Sequence, residues 1–343
     1  MTRAPRPPRL LDVADRAGVS IATASRSLNG VAGVSPAVAD RVRQVAESMG
    51  FVPNAHARSL AGGQESSVGL IVGEIGDPYF TEIASGVIGV AAESDRLVQI
   101  CHAEDPETLV AQVRLLRANR VGAIILAGSG MVDPVREAAV EAELASFLAS
   151  GGRVAAIGRH SLAVDAVLPD NVGAGRAVAE HLLALGHSQV AVLAGPAELN
   201  TVADRLDGLL GALGSARVTV THHPFSREGG VAGARAVLDA TPDATAIVAL
   251  SDVMAIGVLA ELRERGIRVP QDVSVTGIDD IAVAAELSPA LTTVRLSMTE
   301  IGAAALVLAD QEPAATLRSE ATAVELVVRS STAAPRNPAT TLR

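Results

Sequence analysis

Ile21, Ala22, Ser25 and Arg26 fall on one side of the chain if residues 21–28 are helical, since steps of one, four and five residues stay within one face of a 3.6-residue repeat. Two small apolar groups, a hydroxyl and a forked cation suit the major-groove edge of a duplex: apolar contact for thymine methyls, a bidentate fork for guanine. The surrounding stretch, LLDVADRAGVSIATASRSLNG (10–30), supplies the elements that would hold them. Leu11, Val13, Ala14 and Ala17 form the inner face of a first helix, Gly18 permits a tight turn and Val19 plugs the corner. Ser20 stands at the N-cap of a second helix, able to accept from Thr23 N–H or the residue before it, and Ala24, Ser27 and Leu28 turn inward. This is the plan of a helix-turn-helix. The same pattern also fits a plain helical hairpin with a solvated outer face.

The charge distribution favours the first reading. The chain of 343 residues carries a net charge of −10, yet residues 1–63 hold eight arginines against four acids, a net of +4, leaving −14 for the rest. A basic head on an acidic body fits a nucleic-acid contact confined to one end. Lysine is absent, so every fixed positive side chain is an arginine; a P-loop, Schiff-base or kinase-type lysine is excluded. Cys101 is the single cysteine, which excludes an intrachain disulfide and a multi-cysteine zinc site. No apolar run is long enough to span a bilayer, and MTRAPRPPRL is not followed by the apolar stretch of a secretory signal. We expect a cytoplasmic protein without membrane association, cofactor or metal.

Ser35-Pro36 opens a third helix running to about Met49, with Val38, Val42, Val45 and Met49 as its apolar stripe. Asn54 can cap a further short helix, AHARSLA, ended by Gly62-Gly63. Its Arg58 and Ser59 suit phosphate, and Ala57 and Leu60 form a small apolar wedge for a minor groove. From Val68 the period changes. Strand-like runs at 68–72, 97–101, 122–126 and 154–157 alternate with helical segments, and a second series follows at 166–168, 190–194, 218–220, 246–250 and 273–278. Two α/β halves with parallel sheets are expected, meeting near Ala163–Val167, with a cleft between the carboxyl ends of their strands.

These segments together resemble the lactose/galactose-repressor (LacI/GalR) family of transcription regulators. The resemblance rests on DVADRAGVSIATASRSLNG, GFVPNAHARSLAGG, DPYF (77–80), HLLALGH (181–187), SDVMAIG (251–257), VPQDVSVTGIDD (269–280) and LTTVR (291–295), all in order. It implies a helix-turn-helix DNA-binding head (1–53), a hinge helix and linker (54–65), a two-lobed periplasmic-binding-protein-like body (66–332) and a flexible tail (333–343). The body chain would cross between lobes three times, placing 66–164 and 294–322 in one and 165–293 and 323–332 in the other. The implied partners are double-stranded operator DNA, a second copy of the chain and a small effector, with a sugar or sugar phosphate ahead of a nucleoside. The tail lacks apolar heptads, so a homodimer is expected rather than a tail-assembled tetramer.

Carried onto this sequence, the resemblance makes Ile21, Ala22 and Arg26 base readers, places Ser20, Thr23, Ser25 and Asn29 near phosphate, and matches Leu60 to the hinge residue that opens the central operator step. It places Tyr79, Phe80, Arg159, Thr201, Arg205, Phe225, Ser251 and Asp279 at the effector. Ser251 departs from the asparagine common in sugar-binding members, and Leu199 from the arginine of a purine-responsive one. Physical chemistry points to the same cleft: of five aromatic residues, Tyr79, Phe80 and Phe225 fall at expected strand or loop ends, where faces can stack on a ring while Arg205 and Asp279 fork onto hydroxyls. A solute-binding protein would need a signal peptide and no head, and an α/β enzyme a nucleophile with its base. GAGRAV (173–178) lacks the acid of a dinucleotide site, GSG (128–130) is not a nucleophile elbow, and His181, His187, His222 and His223 lack metal spacing.

Overall fold

A computed structural model describes residues 8–29, 31–51 and 67–336. The hinge helix expected over 54–65, with Ala57, Arg58, Ser59 and Leu60, lies outside the described residues, as does the tail from 337. The chain divides into two units at Ser66–Ser67.

In the head, α1 (Leu10–Ala17), α2 (Ile21–Leu28) and α3 (Pro36–Ser48) enclose a small core of Val13, Ala14, Ala17, Ala24, Val42 and Ala46. Gly18 closes α1 at φ +65°, a conformation that costs glycine no Cβ clash, and its N–H donates to Asp15 O. The inner stripe of α1 is Leu10, Val13, Ala14 and Ala17 rather than one containing Leu11, which is 41% exposed. An i, i+3, i+4, i+7 pattern begins at residue 10; a residue one step later is turned about 100° toward solvent.

The body contains two parallel sheets. The first has the order β11-β5-β4-β3-β1-β2, built from β1 (Ser67–Val72), β2 (Leu97–His102), β3 (Ala123–Ala127), β4 (Arg153–Ile157), β5 (Asp165–Pro169) and β11 (Ser319–Thr322). The second has the order β7-β6-β8-β9, from β6 (Gln189–Ala194), β7 (Arg217–His222), β8 (Ala246–Ala249) and β9 (Ser274–Thr276). β1 and β3 are buried along their whole length, which is why they read as unbroken apolar runs. The strand at 165–169 pairs in parallel with β4, so it belongs to the first lobe and not to the second. The expected lobe boundary at 164/165 therefore moves to just beyond Pro169. Two further passages between lobes flank the antiparallel pair β10 (Thr293–Arg295) and β12 (Glu325–Val327).

Helices α4 (Pro78–Glu93), α5 (Pro106–Ala118), α6 (Ala138–Ala149) and α11 (Met298–Asp310) accompany the first sheet; α7 (Asn171–Ala184), α8 (Asn200–Leu213), α9 (Arg227–Ala240) and α10 (Asp252–Glu264) accompany the second. Helix α8 is held against α7 at a close approach, where a Cβ on Gly208 would sit 1.8 Å from Val172 O and one on Gly175 2.0 Å from Arg205 O. Neither neighbour is a flexible side chain, so Gly208→Ala must separate two backbones. We expect it to cost about 1–3 kcal/mol, read as a lowered thermal midpoint; an unchanged midpoint would contradict the tight seat assigned to α8.

Candidate functional site

On the head, Ser20 Oγ accepts from Thr23 N–H at 3.1 Å and lies 2.9 Å from Thr23 Oγ1, fixing the start of α2. Ile21, Ala22 and Arg26 project from the exposed face, while Ser25 is half-buried and receives Asn29 Nδ2 at 3.3 Å. The ion pairs of the described head are Arg9–Asp12 and Arg43–Asp40, so Arg26 presents its guanidinium with no carboxylate partner among the described residues. The structure thus brings the expected head residues onto one helix, apart from Ala57 and Leu60, which lie outside its description.

In the body, the loops at the carboxyl ends of both sheets enclose a cavity of about 460 Å³. Tyr79, Phe80, Thr201, Arg205, Phe225, Ser251 and Asp279 all line it. Asp77 caps α4 by accepting from Tyr79 N–H at 3.0 Å, and the rings of Tyr79 and Phe80 meet edge to face with centroids 5.0 Å apart. Phe80 passes over Gly73 and Phe225 over Gly195, one strand-end glycine in each lobe making room for a ring. Burial pushes the Tyr79 phenol above its ordinary value, keeping it a neutral hydroxyl.

Arg205, 3% exposed, is the electrostatic centre of the cleft. Its Nε donates to Asn171 Oδ1 at 2.9 Å, one terminal nitrogen donates to Leu250 O, and the other donates to Asp279 Oδ1 at 2.9 Å. Asp279 adopts φ +128°, unusual outside glycine, and its own N–H donates to Val294 O at 2.8 Å. Burial raises the Asp279 carboxyl above the usual carboxylate range, against the pull of Arg205 and with a further push from Asp252 and Asp77. The next residue, Asp280, accepts from Arg295 and Arg329, so the turn at the cavity wall is tied to β10 and to the segment just beyond β12.

Arg159 is the exception among the expected cleft residues. It is exposed and does not line the cavity; its fork grips the Asp204 carboxylate, with Nε to Oδ2 at 3.1 Å. The position after Gly158, at φ +97°, turns outward, and His160 faces the cavity instead. Arg159–Asp204 is one of several bonds that clasp the lobes. Asn200 Nδ2 donates to Met131 O at 3.1 Å and Arg159 O at 2.9 Å, and Thr201 N–H donates to Ser129 Oγ at 2.9 Å. GSG (128–130), unremarkable as a motif, supplies part of this seam.

A second buried pair was not anticipated from the sequence. His160 Nδ1 lies 2.8 Å from Glu137 Oε1 and Nε2 lies 3.1 Å from Gly128 O, while Ser161 N–H and Oγ–H donate to Glu137 Oε2 at 2.8 and 2.6 Å. Burial opposes ionisation of Glu137, but the hydrogen bonds from His160 and Ser161 outweigh it and hold the carboxyl at about 2, against an ordinary 4.5. Depressed in the fold, this group contributes stability that is complete above about pH 4.5 and is lost as pH falls through 2. The stability gap between the parent and Glu137→Gln, measured by urea unfolding, is expected to shrink steadily below pH 4.5. A gap independent of pH would refute the charged role. No group of three or more His, Cys, Asp or Glu side chains is placed to hold a metal among the described residues.

Comparison with known proteins decides the family. Residues 9–54 match bacterial regulatory proteins of the lacI family, and residues 179–332 match a periplasmic binding protein-like domain. The HTH-type transcriptional regulator CelR of Thermobifida fusca is 35% identical over 302 residues, 84% of this chain and 87% of the relative. The chain belongs to the lacI family of bacterial regulatory proteins. Another lacI-family relative, the regulator GalR of Escherichia coli (strain K12), is 31% identical over 88% of this chain and 89% of its own length. The lac repressor dimer bound to operator and the anti-inducer ONPF superposes with a TM-score of 0.83 at 26% identity, covering 96% of this chain and all of that one. A CelR–cellobiose complex superposes at 0.68 with 29% identity, covering 94% and 99%. This lacI-family chain thus combines a helix-turn-helix head with a two-lobed α/β body, as its sequence implied. No helix among its described residues is long and apolar enough to cross a membrane.

Proposed function

We propose that this chain is a ligand-responsive transcriptional repressor of carbohydrate-metabolism genes, acting in the cytoplasm as a homodimer on a pseudopalindromic operator. One observation carries the reading: the same chain presents an exposed Arg26, with no carboxylate partner among the described residues, beside Ile21 and Ala22 on a capped helix, and an aromatic cleft between two lobes. Ile21, Ala22 and Arg26 read base edges. Ser20, Thr23, Ser25 and Asn29 lie along the phosphates, and Ala57 and Leu60 wedge the central step. In the cleft, Tyr79, Phe80 and Phe225 stack on a sugar ring while Thr201, Arg205, Ser251 and Asp279 orient its hydroxyls; Arg159 serves lobe closure instead. The family relationship and the cellobiose complex of a relative support a sugar as effector. Closure of the lobes about the effector changes the affinity of the head for DNA.

The test is selection of duplexes from a random pool by the full-length protein, followed by fluorescence anisotropy on the enriched sequence with and without a panel of sugars. A two-fold-symmetric site is expected, with one sugar changing affinity by about 5–150-fold. Failure to enrich any sequence would overturn the DNA-reading role. Enrichment with no response to any sugar would overturn the effector class.

A further inference from the structure

Resting on the reading of the cleft as a sugar site, we propose that its effector is an uncharged sugar and that the cleft rejects phosphorylated counterparts. Anions are commonly held by free cations or by helix N-termini, whose unsatisfied N–H groups and dipole favour negative charge. Both devices are already occupied here. Arg205, the single arginine of the cavity wall, spends its fork on Asn171, Leu250 O and Asp279. Arg159 is turned away onto Asp204, and the chain contains no lysine.

The helix ends are filled in the same way. Asp77 Oδ1 accepts from Tyr79 N–H at the start of α4, and Asp105 Oδ1 accepts from Thr108 N–H at 2.7 Å at the start of α5, so each of these two N-termini already holds a carboxylate. The first N–H groups of α8 donate to the opposite lobe, Asn200 to Gly130 O and Thr201 to Ser129 Oγ. Ser226 and Ser251 cap α9 and α10 with their hydroxyls. Glu74 and Glu104 add negative charge at the wall, and Leu109, Leu126 and Val140 offer a phosphate nothing for its lost hydration. A sugar hydroxyl can donate to these same carboxylates; a phosphate dianion cannot.

Calorimetric titration of the full-length protein against matched pairs tests this: hexoses, pentoses and disaccharides, each beside its phosphate ester, with uridine and uridine 5′-monophosphate added. One neutral sugar is expected to bind at least tenfold more tightly than its ester, and Glu104→Lys to narrow that ratio. An ester that binds as tightly as its parent sugar overturns the inference and leaves the sugar reading standing. Binding of uridine with no sugar overturns the sugar reading itself, and silence across the panel overturns both.

Discussion

Arg205→Ala is expected to abolish the effector response and to destabilise the body by about 3–5 kcal/mol, the usual cost of removing one partner from a buried ion pair. Both Arg205 and Asp279 are 3% exposed, so the loss falls on groups already withdrawn from bulk solvent. Three acceptors lose their partner at once: Asn171 Oδ1, Leu250 O and Asp279 Oδ1. Lysine cannot substitute, because a point ammonium does not reach three acceptors held in the plane of a guanidinium. The deficit should be smaller at acid pH, since burial already favours the protonated form of Asp279 and removal of Arg205 favours it further. Urea unfolding at pH 5 and pH 8, with calorimetry against the identified sugar, checks both parts. A variant within 1 kcal/mol of the parent that still binds sugar would show that the pair is dispensable.

The second large effect belongs to the head. Arg26→Ala should lose about 1–3 kcal/mol of discrimination per half-site, compounded over the two half-sites of a dimer. Loss of a phosphate-directed arginine would instead weaken all duplexes alike and reduce the salt dependence of binding. Anisotropy titrations on the selected operator and on a scrambled duplex of equal length separate these outcomes. Preserved preference for the operator would remove Arg26 from base reading.

Much of this architecture is legible in the sequence because its signals are local. The turn at Gly18, the cap at Ser20 and the unbroken apolar strands each occupy fewer than ten consecutive residues and depend on backbone chemistry nearby. What was misplaced depends on partners far along the chain. The run at 166–168 reads as a strand, but nothing in it states which sheet it joins; the strand observed there, 165–169, joins the first, and the passage to the second lobe begins immediately after it. Arg159 and His160 are adjacent in a loop without periodicity, so which of them faces the cavity is decided by the turn at Gly158 and by Asp204, 45 residues away. The Glu137–His160–Ser161 cluster likewise joins a short 3₁₀ segment to a distant loop. For Leu10 and Leu11 the sequence did contain the answer, since only residue 10 completes the helical stripe with Val13, Ala14 and Ala17.

The seam between the lobes bears on how sensitive such a regulator is. The bonds from Asn200, Thr201 and Arg159 join protein to protein, so they weight the population toward the shut form whatever the cleft contains. Apparent affinity is the intrinsic affinity scaled by the fraction of molecules already competent to bind. Substitutions at Arg159 or Asp204 therefore shift the concentration at which the regulator responds and leave its choice of sugar alone. A titration of Arg159→Ala is expected to run parallel to that of the parent across all bound sugars, displaced to higher concentration by one common factor. At Arg159 and Asp204, which lie outside the cavity wall, threshold is separable from recognition, so selection can adjust a dose–response curve there without rebuilding the pocket.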